Sequence, residues 1–556
     1  MSSAIAERDA FLGNKVVYQI YIRSFQDSNG DGVGDLRGIT QRLDYLQELG
    51  IDYLWITPFF VSPQNDNGYD VANYRAIEPL FGTMEDFDEL SREASKRGIG
   101  LMLDMVFNHT STEHEWFKRA LAGDPTYLAY YKFVDAAPDA TADNPGEPPT
   151  NWESKFGGNA WEYVPSLNKW YLHLFDKSQA DLDWDNPAVR AELVDVLRFW
   201  RGKGVNAFRF DVVNLISKPE VWESDDTDGK HFYSDGPHVH EYLQELAREG
   251  GLEGLVTVGE MSATSLGACI RYTNPDSHEL GMVFNFHHLK VDYPDGNKWA
   301  LMEPDIARLR ELFRTWQEEM AAGGGWNSLF WSNHDQPRPN SRFGDTEHYW
   351  KESSELLATC THLMRGTPYI YQGEELGQTI SDFTSIEQYR DVESFNYYRI
   401  LQEKGLGADE AFEVVHARSR DDGRTPMAWD GSAYAGFSSA EPWLGIPANH
   451  AYINAQDEMA DPSSVRAYFK RLIALRKAEA IVQVGDIRFV DVPSDKLIAY
   501  ERTLGGERLL VQCNFSGSEQ PALATEGGEL FIGNYDTPGD GMSLRPWEAV
   551  AHIWRG

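Results

Sequence analysis

Residues 204–214 read Gly-Val-Asn-Ala-Phe-Arg-Phe-Asp-Val-Val-Asn, an apolar run typical of a buried strand with two charged residues, Arg209 and Asp211, set inside it. Side chains two residues apart on a strand point to the same side. Because a nearby opposite charge holds a carboxylate ionised, Arg209 favours a charged Asp211, as a nucleophile or a charge-stabilising group requires. The stretch therefore predicts a strand that ends at a functional aspartate.

The same pattern, a short apolar run followed by polar residues, recurs along the chain. It appears as Gly98–Asp104 leading to Asn108 and His109, Leu255–Gly259 leading to Glu260, and Leu329–Asn333 leading to His334 and Asp335. Helical stretches separate these runs, which favours parallel strands joined by crossovers. In a closed parallel barrel all carboxyl ends of the strands lie at one rim, where catalytic residues gather. A single acidic residue there usually only caps a loop, but four together predict an active site.

Four more apolar runs complete a predicted TIM barrel, a (β/α)8 fold of the α/β class: residues 16–22, 51–57, 282–286 and 368–371. Residues 110–170 are rich in Pro, Asp, Asn and Trp without sustained periodicity, which predicts a small domain inserted after strand three. Short strands beyond Gly485 predict a C-terminal antiparallel β domain. The expected boundaries are 1–109 and 173–482 for the barrel, with a subdomain at about 376–443, 110–172 for the inserted domain, and 483–556 for a C-terminal β-sandwich.

The composition narrows the possible partners and compartment. A formal net charge of -37 over 556 residues argues against nucleic acid and anionic membranes as partners. Cys269, Cys360 and Cys513 lie far apart without metal-ligand spacing and indicate free thiols in a reducing compartment. The sequence does not open with a basic segment followed by an apolar one, and no run reaches membrane-spanning length. We therefore expect a cytoplasmic protein, a monomer without a membrane partner or an organic cofactor.

The loop after the first apolar run has the spacing of a calcium site. Its oxygen-bearing positions alternate, with side chains at Asp27, Asn29, Asp31 and Asp35 and a backbone carbonyl at Val33. Glycines between them permit the tight winding that lets oxygens converge on a hard cation such as Ca²⁺. The twelfth position, where an EF-hand has a bidentate glutamate, is Gly38. The alternative is a loop of Asx turns that holds no metal.

The blocks DMVFNH, FRFDVVN, GEM and SNHD resemble, in this order, the alpha-amylase superfamily of glycoside hydrolases. The likeness extends over nearly the whole chain and includes GDLRGI, QADLDWDNP and GTPYIYQGEE. The resemblance implies that Asp211 is the nucleophile, Glu260 the general acid/base and Asp335 the transition-state stabiliser. It implies net retention through a covalent glucosyl-enzyme. It also implies substrate contacts from Arg209, which orients Asp211, from His109 and His334, and from the pocket residues Asp66, Tyr69, Gln179 and Arg424.

Within that family, DNGYD and SRDDGRTPM place the chain beside oligo-1,6-glucosidases. The runs at residues 232–246 and 284–294 instead look like trehalose-6-phosphate hydrolases, which implies a sugar phosphate as the small-molecule partner. His287, His288 and Lys290 follow strand six and could bind a phosphate dianion. The alternative is that the histidines pack at a barrel corner and the lysine is merely solvated.

The sequence is also compatible with other functions. The shared core suits an oligo-1,6-glucosidase acting on neutral sugars, or an isomerase that rearranges sucrose. A non-catalytic relative, such as the ectodomain of an amino-acid transporter heavy chain, would lack the three acidic residues and carry a membrane anchor. Ala428 departs from the TPMQW pattern of relatives, which puts one pocket-wall contact in doubt.

Overall fold

The computed structural model describes residues 3–537, 539 and 541–556; Met1, Ser2, Pro538 and Asp540, which fall in the expected first and last domains, lie outside the described residues. The chain divides into two compact units. The central unit comprises Trp55–Arg92 and Gly100–Asn285. The terminal unit comprises the residues up to Leu54, Glu93–Ile99 and Phe286–Gly556.

Eight parallel strands form one sheet and confirm the predicted barrel fold. They are β1 Val17–Ile20, β2 Tyr53–Ile56, β3 Gly100–Met105, β4 Ala207–Phe210, β5 Val256–Glu260, β6 Met282–Phe284, β7 Ser328–Leu329 and β8 Thr367–Tyr371. Their order in the sheet is β6-β5-β4-β3-β2-β1-β8-β7. Strands β1, β3, β4 and β8 are buried along their whole length, as expected for strands covered on both faces.

Helices separate the strands in the pattern that the sequence predicts. The α-helices are Ser3–Gly13, Leu36–Gln41, Leu43–Leu49, Met84–Lys96, Glu115–Leu121, Pro125–Leu128, Pro187–Gly202, Val239–Gly250, Leu266–Thr273, Ile306–Ala322, Pro339–Phe343, Trp350–His362, Val392–Glu403, Ala408–Arg418, Asp421–Arg424, Ala455–Ala460, Val465–Ala478 and Ala480–Val484. Helix Pro187–Gly202, which leads into β4, shows why they form. The Asn186 side chain accepts a hydrogen bond from the Ala188 N–H, and proline occupies the first helical position, where its missing N–H costs nothing.

The C-terminal part of the terminal unit is an antiparallel sheet, as expected. Its strands are β9 Asp486–Phe489, β10 Leu497–Leu504, β11 Glu507–Asn514, β12 Glu529–Gly533 and β13 Ala549–Trp554, in the order β9-β10-β11-β13-β12. Burial alternates along β13, so one face packs inward while the other faces solvent. Arg502 on β10 is fully buried and donates to the carbonyl oxygens of Leu363, Val482 and Gly485, which anchors the sheet to neighbouring helices of the same unit.

Some local expectations need correction. Strand β7 ends at Leu329, so residues 330–333, which were expected to continue it, form a loop leading to Asp335. Asp104 lies inside β3 rather than at its end. Trp152 and Trp161 of the inserted segment are buried in a core cluster that also contains Val212 and Tyr233. No helix in the part of the chain that the structure describes is long and apolar enough to cross a membrane.

Candidate active site

Arg209 on β4 is the centre of a buried polar cluster in the central unit. Its Nη1 donates to Asp104 Oδ1 at 2.6 Å and to Asp211 Oδ1 at 2.7 Å. The same guanidinium group forms an ion pair with the carboxylate of Glu260. Its planar face lies 5.1 Å from the ring centroid of Trp55, a distance at which cation–π attraction operates. One cation, 1% exposed, therefore contacts three carboxyl groups.

The strand register explains why two of these carboxyl groups are neighbours. Phe210 on β4 pairs with Gly259 on β5, so the residues that follow, Asp211 and Glu260, lie side by side. Retaining glycosidases hold their two carboxyl groups about 5–5.5 Å apart, whereas inverting enzymes separate them by about 6.5–9.5 Å. Joint contact with one guanidinium group fits the shorter spacing.

Asp104, the third carboxyl group of the cluster, has a raised pKa. Burial raises its pKa to about 6, against the lowering effect of the Arg209 charge, and the charge of Asp211 adds to the increase. Its second oxygen accepts hydrogen bonds from Tyr69 Oη at 2.8 Å and Trp55 Nε1 at 3.1 Å. Asp104 can therefore take up a proton near neutral pH without losing its place in the structure.

The turn after Asp211 has a strained backbone and is held in place by hydrogen bonds. Val212 has φ +35° and ψ +40°, in the left-handed region that a β-branched residue rarely adopts, at a cost of about 1–3 kcal/mol. Two residues further on, the Asn214 amide accepts from the Ser262 N–H and donates to the Ser262 carbonyl oxygen, both at 2.8 Å. Since Ser262 lies two residues after Glu260, this amide ties the loop of one carboxyl group to the loop of the other.

Four residues predicted to surround a glucosyl unit are brought together in the same unit. Gln179 Nε2 donates to Asp66 Oδ2 at 3.0 Å and lies 3.3 Å from His109 Nε2. His109 Nε2 also lies 3.1 Å from the Tyr69 carbonyl oxygen. The Tyr69 hydroxyl bonded to Asp104 connects this group with the Arg209 cluster.

The protonation of His109 follows from its surroundings. Burial lowers the pKa of His109, so the ring is neutral at pH 7. Asn108 Nδ2 lies 3.2 Å from His109 Nδ1 as a donor, which leaves the ring proton on Nε2. Buried Lys218 fixes the amide by donating to Asn108 Oδ1 at 2.8 Å.

A second polar cluster, in the terminal unit, contains the other predicted residues. Asp335 Oδ1 accepts from Arg424 Nη2 at 3.0 Å and from Arg420 Nη1 at 3.2 Å. Arg424 Nε donates to the His334 carbonyl oxygen at 2.7 Å. The His334 ring stacks on Tyr21. Two guanidinium groups thus favour the charged form of Asp335.

Asp391 contacts both arginines of this second cluster. It is fully buried, and the charges of Arg420 and Arg424 outweigh the effect of burial and lower its pKa to about 2. Arg420 Nη2 donates to Asp391 Oδ1 at 2.5 Å, while Arg420 Nη1 reaches Asp335. A charged Asp391 therefore orients the guanidinium group that contacts Asp335.

Comparison with known proteins assigns the chain to a family. The model of the alpha-amylase catalytic domain matches residues 19–485. The chain belongs to the alpha-amylase family. It is 51% identical to the trehalose-6-phosphate hydrolase of Escherichia coli K12, over 97% of this chain and 98% of that protein. It is 45% identical to an oligo-1,6-glucosidase of Parageobacillus thermoglucosidasius, over 96% and 97% of the two chains. The crystal structure of Bacillus licheniformis trehalose-6-phosphate hydrolase superposes with a TM-score of 0.92, at 48% identity, over 98% and 99% of the chains.

This glycoside hydrolase of the alpha-amylase family has the expected calcium-type loop, but its oxygens already have partners. Asp27 Oδ1 accepts from the N–H groups of Asn29 and Gly30, and Asp31 Oδ1 accepts from that of Val33. Hydrogen bonds from Ser438 and the backbone outweigh the effect of burial and lower the pKa of Asp27. Such Asx turns leave lone pairs on the same oxygens, so they are compatible with a bound cation. Among residues 3–537, 539 and 541–556, however, no group of three or more His, Cys, Asp or Glu side chains is arranged to hold a metal.

Two further positions of this loop have structural explanations. Asp35 caps helix Leu36–Gln41, since its Oδ1 accepts from the Gly38 N–H at 2.7 Å. A Cβ atom at Gly38 would lie 1.9 Å from the Gln26 carbonyl oxygen. The twelfth position thus has no room for the glutamate of an EF-hand, and any cation bound here would take its remaining ligand elsewhere.

The three residues predicted to bind phosphate separate into two environments. His287–Lys290 is a single 3-10 turn, in which residues three apart share a side, so His287 and Lys290 face together and His288 faces elsewhere. His288 is buried among aromatic rings and its Nε2 lies 2.8 Å from the Phe330 carbonyl oxygen. Burial lowers its pKa to about 4. His288 is therefore a neutral packing residue, and its expected phosphate contact is not supported. Lys290 is exposed.

Several residues of the site were missed in the sequence. Arg420 lies in the SRDDGRTPM run, in which the resemblance points only to Arg424. Asp104 ends an apolar run in the sequence, but nothing in that run identifies Arg209 as its partner. Asn214 and Asp391 act through hydrogen bonds to residues 48 and 29 positions away, for which a single sequence carries no signal.

Proposed function

We propose that this alpha-amylase family member hydrolyses an α-glucoside with retention, using Asp211 as nucleophile and Glu260 as general acid/base. The observation that carries the proposal is the shared contact of both carboxyl groups with the Arg209 guanidinium group. Asp335, held by Arg420 and Arg424, is proposed to stabilise the positive charge that develops on the sugar ring in the transition state.

In the first step the charged Asp211 oxygen bonds to the anomeric carbon, and the bond from that carbon to the glycosidic oxygen breaks. Glu260 gives its proton to the departing oxygen, so the leaving sugar departs neutral at that atom. Arg209 contributes by keeping Asp211 ionised and by fixing its position relative to Glu260.

In the second step water attacks the anomeric carbon of the glucosyl ester and gives a proton to the Glu260 carboxylate. The ester bond breaks, Asp211 is released as a carboxylate and glucose leaves with its original anomeric configuration. His109, with its ring proton on Nε2, and the paired Asp66 and Gln179 are proposed to hold hydroxyl groups of this glucosyl unit. We propose the same role, binding hydroxyl groups of the glucosyl unit, for His334, Tyr69 and Arg424.

We infer that the substrate is trehalose 6-phosphate, which gives glucose and glucose 6-phosphate. Two trehalose-6-phosphate hydrolases that are 51% and 47% identical to the chain over nearly its full length support this choice. Lys290 and His287, on one side of the 3-10 turn after β6, are proposed to contact the phosphate. The competing candidate is an oligo-1,6-glucosidase, favoured by relatives at 45% identity or below.

A calcium ion in the loop from Asp27 to Asp35 is proposed as a structural cofactor. The oxygens of Asp27, Asn29 and Asp31, with the Val33 carbonyl, would hold it. It takes no part in the chemical steps. We also propose the domain boundaries given above, with the inserted segment at 110–172. We propose that the protein is a monomer and that it is cytoplasmic.

A side-by-side assay tests the function. Purified protein is given trehalose 6-phosphate, trehalose and isomaltose at equal concentrations, and glucose and glucose 6-phosphate release are measured. We expect kcat/KM for trehalose 6-phosphate to exceed that for both neutral sugars by about a hundredfold, the size of a few charge-assisted contacts. A preference for isomaltose would replace the proposal by the oligo-1,6-glucosidase. A separate reaction with sucrose tests the isomerase, which would convert sucrose to an isomer without net hydrolysis.

A further inference from the structure

The inserted segment places a lysine beside the loop that carries Glu260. Lys155 Nζ donates to Ser262 Oγ at 3.1 Å. Ser262 lies two residues after Glu260, and its backbone is held on both sides by the Asn214 amide. Lys155 and Ser262 are both only half-buried, so a ligand can reach them.

The backbone under Lys155 is fixed, which gives the ammonium group a defined position. The Lys155 N–H donates to the Leu174 carbonyl oxygen at 2.8 Å. Its neighbour Ser154 is buried and donates through Oγ to the Phe175 carbonyl oxygen at 2.7 Å. The side chain extends over Tyr233, with Nζ 5.1 Å from the ring centroid.

The same stretch also touches the glucosyl-binding residues. Phe156, next to Lys155, packs edge-on against Phe175 at 5.6 Å between ring centroids. Phe175 in turn lies 5.1 Å from the His109 ring. Lys155 therefore lies between two parts of the proposed site, the Glu260 loop on one side and the residues around His109 on the other.

We propose that Lys155, with the Ser262 hydroxyl, binds the phosphate group of the leaving sugar. A general acid sits on the leaving-group side of the bond that it protonates, so groups next to the Glu260 loop face the departing glucose 6-phosphate. An ammonium group has three donors, and Ser262 Oγ, which accepts from Lys155, still has its own O–H to donate. Together they match a dianion with three acceptor oxygens. This inference rests on the proposed function.

Asp228, an acidic group that interacts electrostatically with Lys155, does not cancel this cation. Burial raises the pKa of Asp228, but hydrogen bonds from Lys230 and the charges of Lys230 and Lys155 outweigh burial and lower it. Asp228 is already paired with Lys230 at 2.7 Å. In a chain with a net charge of -37, a cation fixed at the site gives a dianion a local attraction that the surface as a whole does not.

The test compares Lys155→Met, which removes the charge and keeps the stem over Tyr233, with Lys155→Arg. A matched control is Lys169→Met, because Lys169 lies in the same inserted segment but pairs with the exposed Asp135. For Lys155→Met we expect kcat/KM for trehalose 6-phosphate to fall at least about tenfold more than kcat/KM for a nitrophenyl α-glucoside, mainly through KM. Lys155→Arg should recover most of the loss, and Lys169→Met should match wild type on both substrates.

Product inhibition gives a readout that does not depend on the substrate assignment. Glucose 6-phosphate should inhibit nitrophenyl glucoside hydrolysis by the wild type, and Lys155→Met should raise its inhibition constant by about tenfold or more, with no such change for glucose. Equal losses on both substrates, together with an unchanged glucose 6-phosphate constant, would overturn the role of Lys155. If the wild type fails to cleave trehalose 6-phosphate, the proposed function is wrong, while a glucose 6-phosphate effect specific to Lys155 would keep the anion site.

Discussion

Replacing Arg209 by glutamine removes the cation that contacts all three carboxyl groups of the cluster. The side chain of glutamine is neutral and shorter, so contacts to Asp104, Asp211 and Glu260 are lost together. The variant therefore tests whether one buried cation holds both of the proposed catalytic carboxyl groups, Asp211 and Glu260, in place. It separates this idea from the view that Arg209 only fills space in the barrel.

The size of the effect follows from the burial and protonation of the cluster. Removing one partner of a buried ion pair costs about 3–5 kcal/mol when the other partner stays charged. Asp104 limits that cost because it can become neutral. With a pKa of about 6, protonation of Asp104 at pH 7 costs only about 1.4 kcal/mol. We expect the free energy of unfolding to fall by about 2–3 kcal/mol at pH 7. Loss of the cation beside Asp211, the proposed nucleophile, should lower kcat/KM by about 10²–10⁴, since each factor of ten corresponds to about 1.36 kcal/mol.

The pH dependence provides a sharper check. The folded-state pKa of Asp104 is raised above its usual 3.8, so its contribution to stability is fully present below that value and is lost as pH rises through about 6. Arg209 lowers the pKa of Asp104, so this pKa is higher in the glutamine variant. The variant therefore continues to lose stability as the pH rises above 6, where the wild type has already lost this contribution. The difference in stability between wild type and variant should therefore be larger at pH 8 than at pH 5, by about 1.4 kcal/mol for each pH unit of extension.

The measurements are urea unfolding at pH 5 and pH 8, and kcat/KM on a nitrophenyl α-glucoside. Arg198→Gln is a suitable control, because Arg198 is 53% exposed and its 3.4 Å pair with Asp195 is a surface ion pair worth at most about 1 kcal/mol. Its stability should change little and equally at both pH values. Activity of Arg209→Gln within about tenfold of wild type, or equal destabilisation at pH 5 and pH 8, would refute the shared-cation argument.

Three further outcomes can be checked with the same preparations. Asp211→Asn should abolish turnover while far-UV circular dichroism stays unchanged, and residual activity within about tenfold of wild type would rule out the nucleophile assignment. Lys290→Ala should raise KM for trehalose 6-phosphate far more than for a nitrophenyl α-glucoside, and parallel increases would remove its phosphate role. A chelator should lower the melting temperature, with recovery on adding Ca²⁺, if the Asp27 to Asp35 loop holds the ion; an unchanged melting temperature would leave that loop metal-free.

The parts of the molecule that the sequence predicts well are those governed by strand periodicity. Apolar runs locate β1 to β8, and the two-residue spacing of Arg209 and Asp211 places both charges on one side of β4. Asp211 and Glu260 follow adjacent strands, so their proximity needs only the barrel order.

Other features depend on distant or local geometry that the sequence pattern does not show. The run His287–Lys290 looks like one basic cluster, yet a 3-10 turn buries His288 and exposes Lys290. Asp391 follows no strand and gains its role only because two arginines from another segment surround it. Trp152 packs against Phe232 and Tyr233 in a core, far along the chain from its own segment. A single sequence does not encode these long-range partners in any periodic pattern.

The charge distribution is compatible with the anionic substrate that we propose for so acidic a chain. Repulsion from a net charge of -37 acts over the whole surface, but ions at physiological strength screen it beyond about 8 Å. A lysine in direct contact with a phosphate acts well inside that distance, in a partly desolvated setting where attraction is stronger. A few fixed cations, such as Lys155 beside Ser262, can therefore decide binding while the remaining surface decides solubility. On this argument the proposed preference for a phosphorylated substrate depends on single residues around the leaving group, whereas the Arg209 cluster acts at the bond that is cleaved.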